Sequence, residues 1–482
     1  GLDVRSITVS PDGKTAVLVG SEGGGSRLYS WSLDPKDPGN RRELAASAGS
    51  DVQFTSDGRR LFYVRAGRIR VLDLKSRNDS TVDVTARVDV DFEADKGAAF
   101  EQAWYELRDG FFDPDMHGAD WDGVRRTFEP RIAAARTPDE LSRLVNLMLG
   151  ELNASHLGHR GGRGGGEDDP PATGELGLRF DRLAYEEDGV FRVAEVLPLG
   201  PADVSDSVHV GDRLVSVDGV DLDGSSDLAA LLEGTVGRKV TLGVTDPDGR
   251  TERSVGLKPI GRSQAGQLRY RAWVESRRAY VDSASGGRLG YVHIPDMGTR
   301  SLDQLYLDLD ARNQEREGVV VDVRDNNGGF VNVYAIDVFT RPNYFTMRNR
   351  GGLPMPSRFQ LGQRALLTPT VLVTNQHTLS DGEDFTEGYR TLGLGPVVGE
   401  PTAGWIIYTG SVGLVDGTSI RMPRTEIRGS DGEVMEMNPR PVDVEVVAPA
   451  GEWYAGTDVQ LDAAVRTLLD RLDRRATDGG SR

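Results

Sequence analysis

A serine becomes a nucleophile only if the chain exposes its hydroxyl on a sharp turn and supplies a base, and Ser380 is placed to meet the first condition. Before it runs Val371-Leu-Val-Thr374, an apolar and β-branched stretch of the kind a buried strand needs. After it, Phe385, Tyr389 and Leu392 recur with helical spacing. Ser380 and Asp381 therefore fall where a strand hands over to a helix, and the first free amides of that helix face any negative charge developing beside the serine. Nucleophile and oxyanion donor come from consecutive residues in such a nucleophile elbow. The competing reading is that Ser380-Asp381-Gly382 only caps a helix.

The base must be one of six histidines: His117, His156, His159, His209, His293 and His377. His156 lies in Asn153-Ala-Ser155-His156-Leu157-Gly158, where a leucine-rich helical pattern ends, and a lone histidine there also reads as a C-terminal cap. His156 and His159 have no recognisable third ligand, so neither a metal nor any other cofactor is expected. A second turn, Asp325-Asn-Asn-Gly328-Gly329-Phe330, ends the strand-like run Gly318–Arg324. Both turns lie at carboxyl ends of strands, where ligands gather in α/β folds.

Several elements must bring these residues together. The 482 residues suffice for about three or four domains. Near the start, Ile7–Val17 and Val52–Phe62 each read as strand, Asp-Gly turn and strand, and the turns are about 45 residues apart, the length of a propeller blade. Two blades cannot close a ring, so residues 1–85 are expected to be a fragment of a larger propeller. From about Ala98 to Asn153 the period turns helical, with Phe100, Trp104, Leu107 and Phe111 on one face and Leu141, Leu144, Met148 and Leu152 on another. Thr137-Pro138-Asp-Glu140 reads as a capping box with proline at the first helical position. Gly158–Pro171 is a flexible linker by composition. Thr173–Pro259 reads as a β-rich module, and Gly261–Leu472 alternates strands with helices.

Composition excludes some functions. The net charge of −18 argues against nucleic acid and anionic membranes as partners. No apolar run approaches the ~18 residues of a membrane span. The absence of cysteine removes disulfides and thiolate chemistry and fits a reducing, cytoplasmic setting. The chain begins at Gly1 rather than Met, so a longer native protein is expected, and nothing argues for a signal peptide.

The module around Gly177-Leu178-Arg-Phe180 and Val210-Gly211-Asp212-Arg-Leu214 looks like a PDZ domain, with Gly177 and Leu178 matching its carboxylate-binding loop. Its implied role is capture of an extended peptide along a sheet edge. A spacer that binds nothing is the alternative. Taken with the blades, the helical segment and the α/β segment, in that order, the chain resembles the tricorn protease family. The resemblance implies a multidomain α/β protein: propeller blades (1–85), a helical domain (86–165), the PDZ-like module (166–262) and a crotonase-like, tail-specific-protease-like catalytic domain (263–482). Carried over by motif, Ser380 is the nucleophile, His156 the base, Ser155 its hydrogen-bond partner and Glu436 the group that orients Ser155. Asp381 and an amide of Gly328-Gly329 form the oxyanion hole. Glu436 is the softest match, because Glu-Met-Asn-Pro stands where the family usually shows Glu-Asn and a glycine.

Carboxy-terminal processing proteases share this plan but use a serine–lysine dyad, with lysine about 25 residues beyond the serine. Here that place reads Gly399-Glu-Pro-Thr-Ala-Gly404-Trp405, and no lysine follows Lys258. The expectation is a serine endopeptidase acting on short unfolded oligopeptides, and the resemblance implies that it works downstream of the proteasome. As the resemblance implies, it would be a homohexamer with aminopeptidase partners. Asp337, Glu383 and Asp384 lie near the site by sequence and could favour a basic side chain. The alternative is a peptide-binding scaffold of the same fold without activity.

Overall fold

The computed structural model describes residues 3–22, 25–36, 41–46, 51–65, 67–82, 84, 91–161, 172–342, 344–356, 366, 368–452 and 456–479. The chain divides into two compact units, Gly1–Asp91 and Phe92–Arg482.

The first unit holds two four-stranded antiparallel sheets, one from Asp3–Val9, Thr15–Glu22, Gly25–Ser32 and Arg41–Ala46, the other from Gln53–Phe54, Arg60–Arg65, Arg68–Asp73 and Asp79–Thr81. Both predicted Asp-Gly turns share one wiring. Ser10 Oγ donates to Asp12 at 2.6 Å and Thr55 Oγ1 to Asp57 at 2.5 Å, and each aspartate also takes the amide two residues on. Gly13 and Gly58 follow at φ +71° and +69°, where a side chain is strained. Val17, Leu28, Leu61, Tyr63 and Leu72 form one core.

In the second unit, three helices, Phe92–Gly110, Trp121–Ala134 and Pro138–Gly150, come first. Thr137 caps the third by accepting from the Glu140 amide at 3.2 Å. Glu140 reaches back to the amide of Arg136, not of Thr137, so the reciprocal half of the box is displaced by one residue. The predicted faces do meet, and their core continues into Leu414, Ile420 and Met422. These three belong to the distant hairpin Ile407–Gly413/Ser419–Glu426 or its turn.

Part of the expected linker belongs to that hairpin. Gly158–Arg160 is a strand, with Gly158 opposite Arg421 and Arg160 opposite Ser419. His159 pins it, sharing hydrogen bonds of 2.9 Å with Ser142 Oγ and with Thr418 Oγ1. Composition suggests flexibility, but a partner strand about 260 residues away supplies the missing hydrogen bonds. Residues 162–171 lie outside the described residues.

The β-rich module is a sheet ordered Leu178–Phe180, Phe191–Val196, Arg213–Val217, Val240–Thr245 and Glu252–Leu257. Its first strand lies at one end of the sheet, and the Gly177 carbonyl accepts from the Leu197 amide.

The last segment is built on five parallel strands: Leu289–His293, Gly318–Asp322, Thr370–Thr374, Val397–Gly399 and Val444–Glu445. The first four are buried throughout, as unbroken apolar runs require. Alternate residues serve opposite faces. Val319, Val321 and Leu372 pack with Leu305, Val338, Phe385 and Tyr389 on one side, while Val320, Val371 and Val373 pack with Val281, Leu461 and Leu468 on the other. Leu392 departs from the predicted stripe: the helix ends at Thr391, and Leu392 is 54% exposed. Among the described residues, no helix is long and apolar enough to cross a membrane.

Candidate active site

Ser380 joins the strand Thr370–Thr374, through a short turn, to the helix Asp381–Thr391. Its backbone sits at φ +56°, ψ −129°, a region costing a residue with a side chain about 1–3 kcal/mol. It occupies the cap position but makes no side-chain capping bond. Its Oγ lies 3.0 Å from His156 Nε2 instead. The helix-cap reading therefore fails.

His156 is not a helix cap either. It lies beyond the helix end at Gly150, itself at φ +62°. Its Nδ1 is 2.7 Å from Ser155 Oγ. Ser155 Oγ in turn donates to Glu436 Oε2 at 3.0 Å, and the Ser155 amide donates to Oε1 at 2.7 Å. The Ile406 amide adds a third donor to Glu436 at 2.9 Å. This chain sets the tautomer. Glu436 accepts the Ser155 hydroxyl proton, so Ser155 Oγ must accept from Nδ1–H, which leaves the Nε2 lone pair for the Ser380 hydroxyl. Non-glycine residues at positive φ recur around the site, at Asp325, His156, Ser380 and Met437.

The glycine turn lies against Ser380. A Cβ on Gly328 would fall 2.4 Å from Ser380 Cβ and 3.1 Å from the Asp381 nitrogen. On Gly329 it would fall 2.0 Å from the Met297 carbonyl oxygen. The Gly328 amide is committed to Asn326 Oδ1 at 2.8 Å. The Gly329 and Asp381 amides have no acceptor among the described residues. Of the two expected glycine donors, only Gly329 is free to serve an oxyanion; Gly328 contributes by leaving room.

Three carboxylates expected near the site have separate fates. Asp337 is exposed and pairs with Arg341 at 2.8 Å. Glu383 is fully buried, turned inward and bonded within the protein. Asp384 takes the Tyr408 hydroxyl at 2.9 Å, and burial, reinforced by Asp381 and Glu383, pushes its carboxyl up to about 7. Asp381 is held through Asn332, whose amide donates to it at 3.0 Å. His156 moves the other way: burial first, then the neighbouring Arg421, hold its imidazole down at about 4. Of the remaining histidines, His117 bonds the Leu152 carbonyl, and His293 sits buried between Tyr270 and the Arg324 carbonyl.

Sequence reasoning gives no role to Asn326, Asn332 or Arg421, and it notes Gly399–Trp405 only as the place where a lysine base is missing. The Asn-Asn-Gly-Gly turn is the one local signal pointing to any of them, since asparagine side chains commonly satisfy turn amides.

Comparison with known proteins agrees along the chain. Residues 288–446 match peptidase family S41, residues 92–150 the tricorn protease C1 domain, and residues 192–245 a PDZ domain. Tricorn protease homolog 1 of Streptomyces coelicolor is 34% identical over 480 residues, covering 93% of this chain and 44% of the relative. Tricorn protease of Thermoplasma volcanium is 25% identical over 501 residues, covering 98% and 46%. The crystal structure of the tricorn protease superposes with a TM-score of 0.80 at 22% identity, over 98% of this chain and 47% of that one. The chain thus spans under half the length of these relatives. With the fold shared and three domain matches in the same order, the chain belongs to the tricorn protease family.

Proposed function

We propose that this chain carries the catalytic part of a serine endopeptidase that cleaves short unfolded oligopeptides. The observation behind the proposal is the unbroken line of hydrogen bonds from Ser380 through His156 and Ser155 to Glu436. Ser380 Oγ attacks the peptide carbonyl carbon while its proton passes to His156 Nε2. The oxygen of the tetrahedral intermediate turns towards the Gly329 and Asp381 amides. As the C–N bond breaks, His156 returns the proton to the leaving amine. Water, deprotonated by the same imidazole, then releases the acid and restores Ser380. A lysine base has no support: Trp405 stands at that place, its amide bonded to Glu383 and its carbonyl to the Ser380 amide.

The same reading covers the domain plan, setting and partners expected from the sequence and its resemblance. The four divisions at 1–85, 86–165, 166–262 and 263–482 are its domains. The PDZ-like module offers Gly177 and Leu178 to a peptide, the setting is cytoplasmic and downstream of the proteasome, and the full-length protein is a homohexamer that hands products to aminopeptidases. The test is covalent. The chain is treated with a serine-directed phosphonate and with a fluorogenic peptide, and the adduct is located by mass spectrometry. One adduct, on Ser380, with peptide cleavage lost in proportion, is the expected result. Cleavage that survives full labelling, or an adduct elsewhere, removes the proposal, and a chain that neither labels nor cleaves is a binding scaffold.

The pH profile gives an independent check. A base works only when neutral, and the His156 pKa of about 4 keeps it neutral through the whole physiological range. The acid limb of kcat/KM is therefore expected near pH 4 rather than at the ~6.5 of an ordinary histidine. Because Arg421 is part of the cause, Arg421→Gln should move the limb upward. Profiles are measured in an Asp384→Asn background, which removes the carboxyl titrating near 7. A limb at 6.5 in that background, unmoved by Arg421→Gln, contradicts the assignment of His156.

A further inference from the structure

Ser380 is held in an unfavourable backbone conformation, so something must fix both of its peptide groups. Its carbonyl accepts from the Glu383 amide at 2.7 Å. Its own amide donates to the Trp405 carbonyl at 2.9 Å. Trp405 is 25 residues away and lies in no regular element, so its carbonyl has no reason of its own to stay there. The Glu383 carboxylate supplies the reason. It is fully buried and takes three donors from that segment: Thr402 Oγ1 at 2.6 Å, the Gly404 amide at 2.8 Å and the Trp405 amide at 2.7 Å.

The contacts form a closed ring. Ser380 C=O receives Glu383 N–H, the Glu383 carboxylate receives Trp405 N–H, and Trp405 C=O receives Ser380 N–H. The next residue along, Ile406, donates its amide to Glu436. The single peptide group between Trp405 and Ile406 thus touches Ser380 through its carbonyl and the carboxylate behind the histidine through its amide. Thr402 closes the far side, its Oγ1 accepting from the Arg440 amide at 2.7 Å.

We infer that Glu383 is a positioning residue for the reaction: through the Thr402–Ile406 segment it holds the Ser380 backbone in its strained form and in register with Glu436. The inference rests on the proposed function and adds to it a buried acid that contacts neither substrate nor imidazole. Bonds to three donors need an acceptor with two equivalent oxygens. In Glu383→Gln one oxygen becomes an NH₂ group facing a donor, so at least one of the three contacts turns repulsive.

The test uses the full chain with active sites counted by phosphonate titration, so that rates refer to folded molecules. In Glu383→Gln, kcat on a fluorogenic peptide is expected to fall about 100-fold, the size of effect that follows a misplaced reacting group. KM should stay within about twofold, because the substrate's own contacts are untouched. The acid limb of the pH profile should not move, since burial and Arg421 set His156. Thr402→Val removes one of the three donors and should lower kcat about three- to tenfold. A Glu383→Gln chain with kcat per titrated site within threefold of wild type overturns the inference, whatever its melting temperature. So does an acid limb that moves, which would make Glu383 a direct partner of the histidine. Should Glu383→Gln not fold at assay temperature, Thr402→Val decides: unchanged kcat overturns the inference, and reduced kcat at constant KM supports it. The wild-type chain is the reference arm. Loss confined to the variants concerns Glu383 alone, whereas a wild-type chain inert to phosphonate overturns the proposed function and this inference with it.

Discussion

His156→Ala will lower kcat/KM by roughly 10⁴–10⁶-fold, the range seen when one member of a nucleophile–base set is removed. Two losses coincide. The Ser380 hydroxyl keeps its proton, and the leaving amine has no acid to receive one. The Gly329 and Asp381 amides, the proposed oxyanion donors, remain, so a residual rate above the uncatalysed one should persist. The fold should tolerate the change, because the imidazole is only half-buried and hydrogen-bonds to Ser155 and Ser380. The measurement is kcat/KM on a fluorogenic peptide, paired with the rate of Ser380 phosphonylation. A variant that retains a tenth of wild-type activity would mean that another group takes the proton.

Glu436→Gln should cost nearly as much, about 10³–10⁴-fold, although this side chain is three hydrogen bonds from Ser380. Its carboxylate accepts three donors, from Ser155 twice and from Ile406 once. Glutamine keeps one acceptor oxygen and brings an NH₂ group. With NH₂ towards Ser155, it donates to the hydroxyl, which then donates to Nδ1, and the proton of the imidazole is driven to Nε2. A histidine protonated at Nε2 cannot accept from Ser380. The other orientation places NH₂ against the Ser155 amide. The position is nearly closed to water, so leaving a donor unpaired also costs about 1–3 kcal/mol of stability. The expected signature is a large fall in kcat with a modest drop in melting temperature. Loss of stability alone, with kcat intact, would reduce Glu436 to a structural role.

The legible parts of this protein were those with local periodicity. The Thr370–Thr374 strand and the helix after Ser380 announce themselves by β-branched and 3.6-residue patterns. The Asp-Gly turns announce the blade-like sheets. His156 has no such mark. Its partner is 224 residues away, and only family resemblance joined the two. Gly158–Arg160 was opaque for the same reason: its glycine-rich surroundings read as linker, while its strand partner lies in Ser419–Glu426. Glu383 illustrates a third kind of blindness. An acid in the first turn of a helix normally reads as a solvated favourable charge, and nothing local reveals three donors arriving from residues 402–405.

The shared core of the three helices and the hairpin has one more consequence. Phe100, Trp104 and Met148 share one buried core with Ile420 and Met422, and the same packing accompanies the approach of His156 to Ser380. On the proposed assignment, a chain still emerging from the ribosome carries an imidazole with no serine to serve, and one that has misfolded carries a serine with no imidazole. On the same assignment the hydrolytic centre comes into being only with the completed tertiary structure, which makes the architecture itself an interlock.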